Sequence, residues 1–197
     1  MSAAAVDACE RRIGRPRSAA VDQAILDAAV ELFIELGYDG LTMEGVAVRA
    51  GVGKTTVYRR YPGKVELVMA AAERLSRQKG PTPDTGTLRG DLLALARGFR
   101  RMLMTDAGKA IPATLAANAR NPELALAHRN FIAQRRADSA GVISRAVARG
   151  ELAAEVDVDL VLDLLTAPLF LRAFITGQSL DDAYLASLVA AVLRSFS

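Results

Sequence analysis

Apolar residues recur at three- and four-residue spacing through most of the chain, and no stretch alternates convincingly in the two-residue period of a half-buried strand. The first run, Val21, Ile25, Leu26, Ala29, Leu32, Phe33 and Leu36, lies between Ser18, a suitable cap, and Gly37, and predicts a helix between them. Two short helical segments follow. Thr42 suits an N-cap, Glu44 favours the positive helix end, and Ala50-Gly51 supplies the small residue and positive φ that an abrupt reversal demands. Gly53 then serves as a weaker cap for a second short helix, Lys54 to Tyr61, with Val57 and Tyr61 inward. Ala47 lets the pair approach closely, and Val46, Val52 and Val57 are spaced to meet in a small core. A fourth pattern, Lys64 to about Lys79, turns Val65, Val68, Met69, Ala72 and Leu75 inward.

The segment Gly80-Pro81-Thr82-Pro83-Asp84-Thr85-Gly86 breaks the periodicity and marks a domain boundary. Beyond it, helical patterns run at about Leu88 to Thr105, Lys109 to Ala119 and Pro122 to Arg149, the last with Asn121 as cap and Gly150 as stop. Asp157 caps a helix to about Thr176, in which Pro168 removes a backbone hydrogen bond and predicts a kink, and Asp181 begins a final helix to Phe196. The fold class is all-α: a basic arm over 1–17, a three-helix unit with a linking helix over 18–79, and a larger helical domain over 80–197. The helix after Asp157 is apolar on more than one face, and the final helix carries an apolar stripe. These two are expected to pair with their symmetry mates as a four-helix homodimer interface through Leu164, Leu169, Leu185, Leu188, Val189 and Val192.

The short helix pair has the form of a helix-turn-helix, a device that places its second helix in the major groove of DNA. From Arg49 to Lys64 every charged residue is basic, where a merely solvated face would mix signs. Lys54, Arg59 and Lys64 are candidates to neutralise phosphates, and Thr55, Thr56 and Tyr58 to approach base edges. Thr42, Arg60 and Tyr61 complete the candidate DNA-binding set. Upstream, Arg11, Arg12, Arg15 and Arg17 make the chain's start basic although its net charge is only +3. Gly14-Arg15-Pro16-Arg17 resembles the minor-groove core of an AT-hook, so Arg15 and Arg17 are candidates to enter the groove beside the reader. The alternative is a solubilising tail.

With these residues in view, Val52-Gly53-Lys54-Thr55-Thr56-Val57-Tyr58-Arg59-Arg60-Tyr61 resembles the recognition segment of the TetR family of bacterial transcriptional regulators. The likeness extends back through Ile25 to Tyr38 and forward through Pro62-Gly63-Lys64-Val65-Glu66-Leu67. Gly53 stands where the family usually has a serine or threonine cap, and Arg60 where it often has histidine or tyrosine. The resemblance implies a dimeric regulator, a repressor by family habit, that binds pseudo-palindromic double-stranded operator DNA and is released by a small effector held between the C-terminal helices. Phe99, Met102, Leu103, Leu115, Phe131, Phe170 and Phe174 are candidates to line such a cavity, although each is also suited to ordinary core. Gly150-Glu151-Leu152 through Tyr184 has a looser likeness to a TetR C-terminal subtype.

Other functions find less support. Gly51-Val52-Gly53-Lys54-Thr55 looks like the end of a phosphate-binding loop, but that loop needs glycine where Val48 stands and a strand where a helix pattern runs. His128 is the only histidine and has no second ligand candidate nearby, so no metal and no cofactor are expected. No catalytic constellation is suggested, and an enzyme is not expected. A nonspecific architectural DNA binder is the main alternative, separable by its lack of a preferred site. One cysteine, Cys9, excludes an internal disulfide, Asp7 and Glu10 fall where a signal peptide would be apolar, and the longest uncharged stretch, 183–193, is too short for a bilayer. A cytoplasmic protein with no membrane partner is therefore expected.

Overall fold

The computed structural model describes residues 16–77, 82–110 and 121–196, and side chains from Ala19 onward. Arg15 and the basic arm up to it, Leu115 and most of the helix expected at 109–119 lie outside the described residues. Among the described residues the helices are α1 (Pro16–Gly40), α2 (Met43–Arg49), α3 (Lys54–Arg60), α4 (Lys64–Arg77), α5 (Leu88–Leu103), α6 (Pro122–Ala148), α7 (Val158–Phe170) and α8 (Asp182–Ser195), with a π-helical continuation of α7 at Leu171–Thr176 and a further helical turn over 106–110. No strand occurs among the described residues.

The local signals explain most of these boundaries. Helix α1 begins at Pro16, where a missing N–H costs nothing, so Ser18 lies inside its first turn rather than at its cap. Gly37, at φ 69° and ψ −174°, breaks the helical path, and one more turn carries the chain to Gly40. Asn121 accepts from the amides of Glu123 and Leu124, Asp157 from Leu160 and Asp181 from Tyr184, as the cap chemistry predicts. Pro168 does not end α7. Three residues later the helix widens to π geometry and stops at Gly177 in the left-handed region.

Two apolar clusters organise the chain. The first joins Ile25, Phe33, Leu41, Val46, Val57, Leu67 and Val68 from α1 to α4, and continues into the larger domain through Ala107 and Leu124. Leu36, expected inside, is instead 55% exposed, because the break at Gly37 ends the stripe it belonged to. The second cluster joins α5, α6, α7 and α8 through Leu92, Ile143, Leu165, Leu169, Leu185 and Val189. Met102 packs against both. The contact between α4 and α6 is reinforced by Arg135, which bridges Glu73 at 3.2 Å and Asp138 at 2.8 Å, while the Thr82 hydroxyl donates to the Asp138 carbonyl at 3.1 Å.

This arrangement corrects part of the expected dimer surface. Leu169, Leu185, Val189 and Val192 are buried in the protomer's own core, and Leu188 is half-buried against it. Helices α7 and α8 flank α5, and their inward faces are used up there. Only Leu164 of the expected set is exposed, in a stripe with Leu160, Leu171 and Ile175 at four-, seven- and four-residue steps along α7 and its π-helical continuation.

His128 is half-buried on α6, and that burial holds its imidazole below the ordinary value of 6.5. Folding thus favours the neutral ring, and the unfolded chain takes up the proton first. Stability is expected to fall as pH drops below about 6.5, and His128→Gln to flatten the urea midpoint between about pH 7 and about pH 5. An identical pH profile for the two proteins would contradict this.

Candidate nucleic-acid interface

Helix α3 projects from a scaffold that fixes it on three sides. The Thr42 hydroxyl accepts the Gly45 amide at 3.0 Å and caps α2, and Gly51 makes the turn at φ 65°. The Val52 amide then donates to the Ala47 carbonyl at 3.0 Å, closing the reversal after α2. Val46 and Val57 are completely buried between the helices, with Val52 partly buried beside them. Thr55, Tyr58 and Arg59 are left facing solvent, with Thr56 half-buried. Among the described residues, Arg59 enters no ion pair.

The basic run is less free than its sequence suggests, because acids from earlier elements meet it in space. Arg49 lies against α1, forming a two-pronged pair with Glu35 at 2.9 and 2.8 Å and reaching Glu31 at 3.2 Å. The Arg49 hydrogen bond holds the Glu35 carboxyl below the usual carboxylate range. Arg60 packs toward α1, with its Nε 3.5 Å from Asp22. Lys54 pairs with Glu44 of α2, and its ammonium also lies 5.5 Å from the centre of the Tyr58 ring. Such pairs, largely exposed, add little stability, but they decide where each cation points.

One expected contact, Tyr61, is therefore corrected, and another, Lys64, is engaged within the protomer. Tyr61 is buried, and its hydroxyl donates to Asp22 at 2.9 Å; burial first and this carboxylate second raise its pKa. It anchors α3 to α1 rather than facing DNA. Lys64 is half-buried at the start of α4, its ammonium 4.2 Å from the centre of the Tyr38 ring and donating to the Asp39 carbonyl at 3.3 Å; desolvation lowers its pKa. It fastens α4 to the end of α1. Arg60 is similarly drawn inward, with a side chain only 19% exposed. Arg17 lies on the backbone of the first turn of α1, not in an extended arm.

Sequence reasoning missed Val48, which at 82% exposure is a bare apolar residue on α2. It also missed the role of Glu44, whose signal was its position ten residues before Lys54. The nucleotide-loop alternative lacks its framework, since helix α2 precedes the turn where a strand would be needed.

In the larger domain, Phe170 packs edge-on to Phe99 at 6.3 Å and stacks with Phe174 at 5.6 Å, all three partly buried. Phe131 does not join them. It packs against the α1–α4 cluster, because its face of α6 turns toward α4, and Leu103 is wholly buried. Among the described residues no group of three or more His, Cys, Asp or Glu is placed to hold a metal ion, and no helix is long and apolar enough to cross a membrane.

Two family models match the chain. Residues 25–71 match the family model for bacterial regulatory proteins of the tetR family, and residues 82–192 match that for the tetracyclin repressor-like C-terminal domain. The chain is 33% identical over 177 residues to the HTH-type transcriptional regulator YdeS of Bacillus subtilis, covering 89% of each protein. It is 36% identical over 182 residues to the DNA-binding transcriptional repressor TetR of Mycobacteroides abscessus, covering 91% of this chain and 93% of that one. The crystal structure of the TetR-family transcription regulator SCO0332 superposes with a TM-score of 0.72 at 34% identity, covering 90% of this chain and 98% of the other. The chain belongs to the TetR family of bacterial transcriptional regulators, and is a DNA-binding regulator rather than an enzyme.

Proposed function

We propose that the protein acts in the cytoplasm as a homodimeric repressor, with its two α3 helices in successive major grooves of a pseudo-palindromic operator, about 34–36 Å apart or a multiple of that. The observation that carries this reading is the solvent-facing set Thr55, Tyr58 and Arg59 on a helix whose opposite face is locked by Val57 and Tyr61. A reader held this firmly discriminates among sequences. A nonspecific architectural protein has no need of such rigidity. Selection of binding sites from random duplex DNA is expected to return a two-fold symmetric consensus; a pool without enrichment would favour the architectural alternative.

Dimerisation is supported by the stripe Leu160, Leu164, Leu171 and Ile175, which stays exposed among the described residues. Repression is supported by the function in the name of the Mycobacteroides relative. An apolar effector near Phe99, Phe170 and Phe174 would act by binding more tightly to the protomer arrangement that spaces the readers wrongly for DNA. The route to the reader is short, because α6 touches α4 through Phe131 and the Arg135–Glu73 pair.

Arg59→Ala is expected to weaken binding to operator and random DNA alike and to reduce the slope of log affinity against log salt by about 0.9. Thr55→Ala is expected to cost about 1 kcal/mol at one base position only. Titrations at several salt concentrations on both DNAs check the pair. Equal effects of the two variants on both DNAs would overturn this division of labour.

A further inference from the structure

Glu44 is an acid exposed on the side of α2 next to the reading helix, among residues otherwise basic or neutral: Thr42, Val48, Lys54, Thr55, Tyr58 and Arg59. A carboxylate there repels every phosphate that approaches, so its position requires a reason. The structure supplies one. Its carboxylate holds the Lys54 ammonium, and that ammonium lies against the Tyr58 ring, so one acid of α2 orients Lys54 directly and Tyr58 through it. The interaction with Lys54 keeps the Glu44 carboxyl below its usual range, so it stays charged at neutral pH.

We infer that Glu44 is a specificity-determining positioning residue, one that suppresses binding to random DNA and holds Lys54 and Tyr58 in the geometry used on the operator. The inference rests on the sequence-specific reading proposed above. Its physics is a difference between two modes of binding. Random DNA is held by counterion release, which rewards any cation free to reach a phosphate and penalises a nearby acid. The pair with Glu44 withholds Lys54 from that pool, and the Glu44 charge adds repulsion. On the operator the same restraint is useful, because side chains already in place lose less freedom on docking.

The test compares wild type, Glu44→Gln, Glu44→Ala and Lys54→Gln, each alone, and Glu44→Gln with Lys54→Gln. Affinities are measured for the selected operator and for a random-sequence duplex of equal length at about 50 and about 200 mM salt. Glu44→Gln removes the charge but keeps an oxygen that accepts from Lys54. It is expected to tighten binding to the random duplex, to steepen its salt slope by about 0.9, and so to gain about threefold more at the lower salt than at the higher. The ratio of operator to random affinity falls. Glu44→Ala, which also loses the acceptor, is expected to weaken operator binding in addition. In the Lys54→Gln background the gain in salt slope should vanish, since the cation it would release is gone.

Thermal melts of every variant exclude unfolding as the cause, because a merely structural role would weaken both DNAs together. Glu44→Gln that leaves the operator-to-random ratio and the salt slope at wild-type values overturns this inference alone. A wild-type protein that prefers no site overturns both it and the function proposed above.

Discussion

Leu164→Glu combined with Ile175→Glu is expected to yield a folded monomer that has lost about 100-fold or more of its operator affinity. Both side chains belong to the exposed stripe on α7 and its π-helical continuation, Leu164 at 39% and Ile175 at 76% exposure, so charging them leaves the protomer's own core untouched. In a dimer the same charges meet their symmetry copies. Each carboxylate loses water, and like charges are driven together across the two-fold axis. The loss on DNA follows because two linked readers bind with an effective local concentration that a single reader lacks. Sedimentation velocity at micromolar protein, circular dichroism and operator titration together check the prediction. A double variant that still sediments as a dimer would place the interface elsewhere, and a wild-type monomer would remove the basis of the proposed homodimer.

Val57→Asp is expected to have the largest effect on stability of any single change in the reader, roughly 4 kcal/mol or more. Val57 is completely buried where α3 meets α2, in the same apolar cluster as Val46. The introduced acid must either fold uncharged or force the helices apart. Since the α1–α4 cluster runs on into Ala107 and Leu124, the damage is not confined to a detachable module. A fall in the thermal midpoint on the order of 10 °C is expected. Val57→Ala, which removes methyl groups without adding charge, serves as a graded control at about 1–3 kcal/mol. A thermal midpoint for Val57→Asp within a degree or two of wild type would show that this contact does not hold the helix pair.

Particular residues show how far the sequence carried. The helix-turn-helix was legible because its signals are local: Thr42 caps the next amides, Gly51 takes a positive φ, and the three valines lie within one short stretch. The caps Asn121, Asp157 and Asp181 were legible for the same reason. Tyr61 was correctly turned inward but wrongly kept as a DNA contact, since its destination, Asp22, is thirty-nine residues away. The basic run from Arg49 to Lys64 hid its counterions in Glu31, Glu35, Asp22 and Glu44, none of which lies inside it. Leu185, Val189 and Val192 resembled an interface stripe, and only the position of α5 made them core.

The sequence by itself therefore determined the all-α character, the capped starts of several helices, the reversal between α2 and α3, and which family the chain resembles. These depend on hydrogen bonds and backbone angles within a few residues, and on side-chain periodicity along one helix. Only the tertiary structure decided which cations remain available, which apolar face stays uncovered, and that Glu44 stands beside Lys54 and Tyr58. Charge pairing and burial depend on which helices become neighbours, and a periodic pattern states that a face will be covered without stating by what.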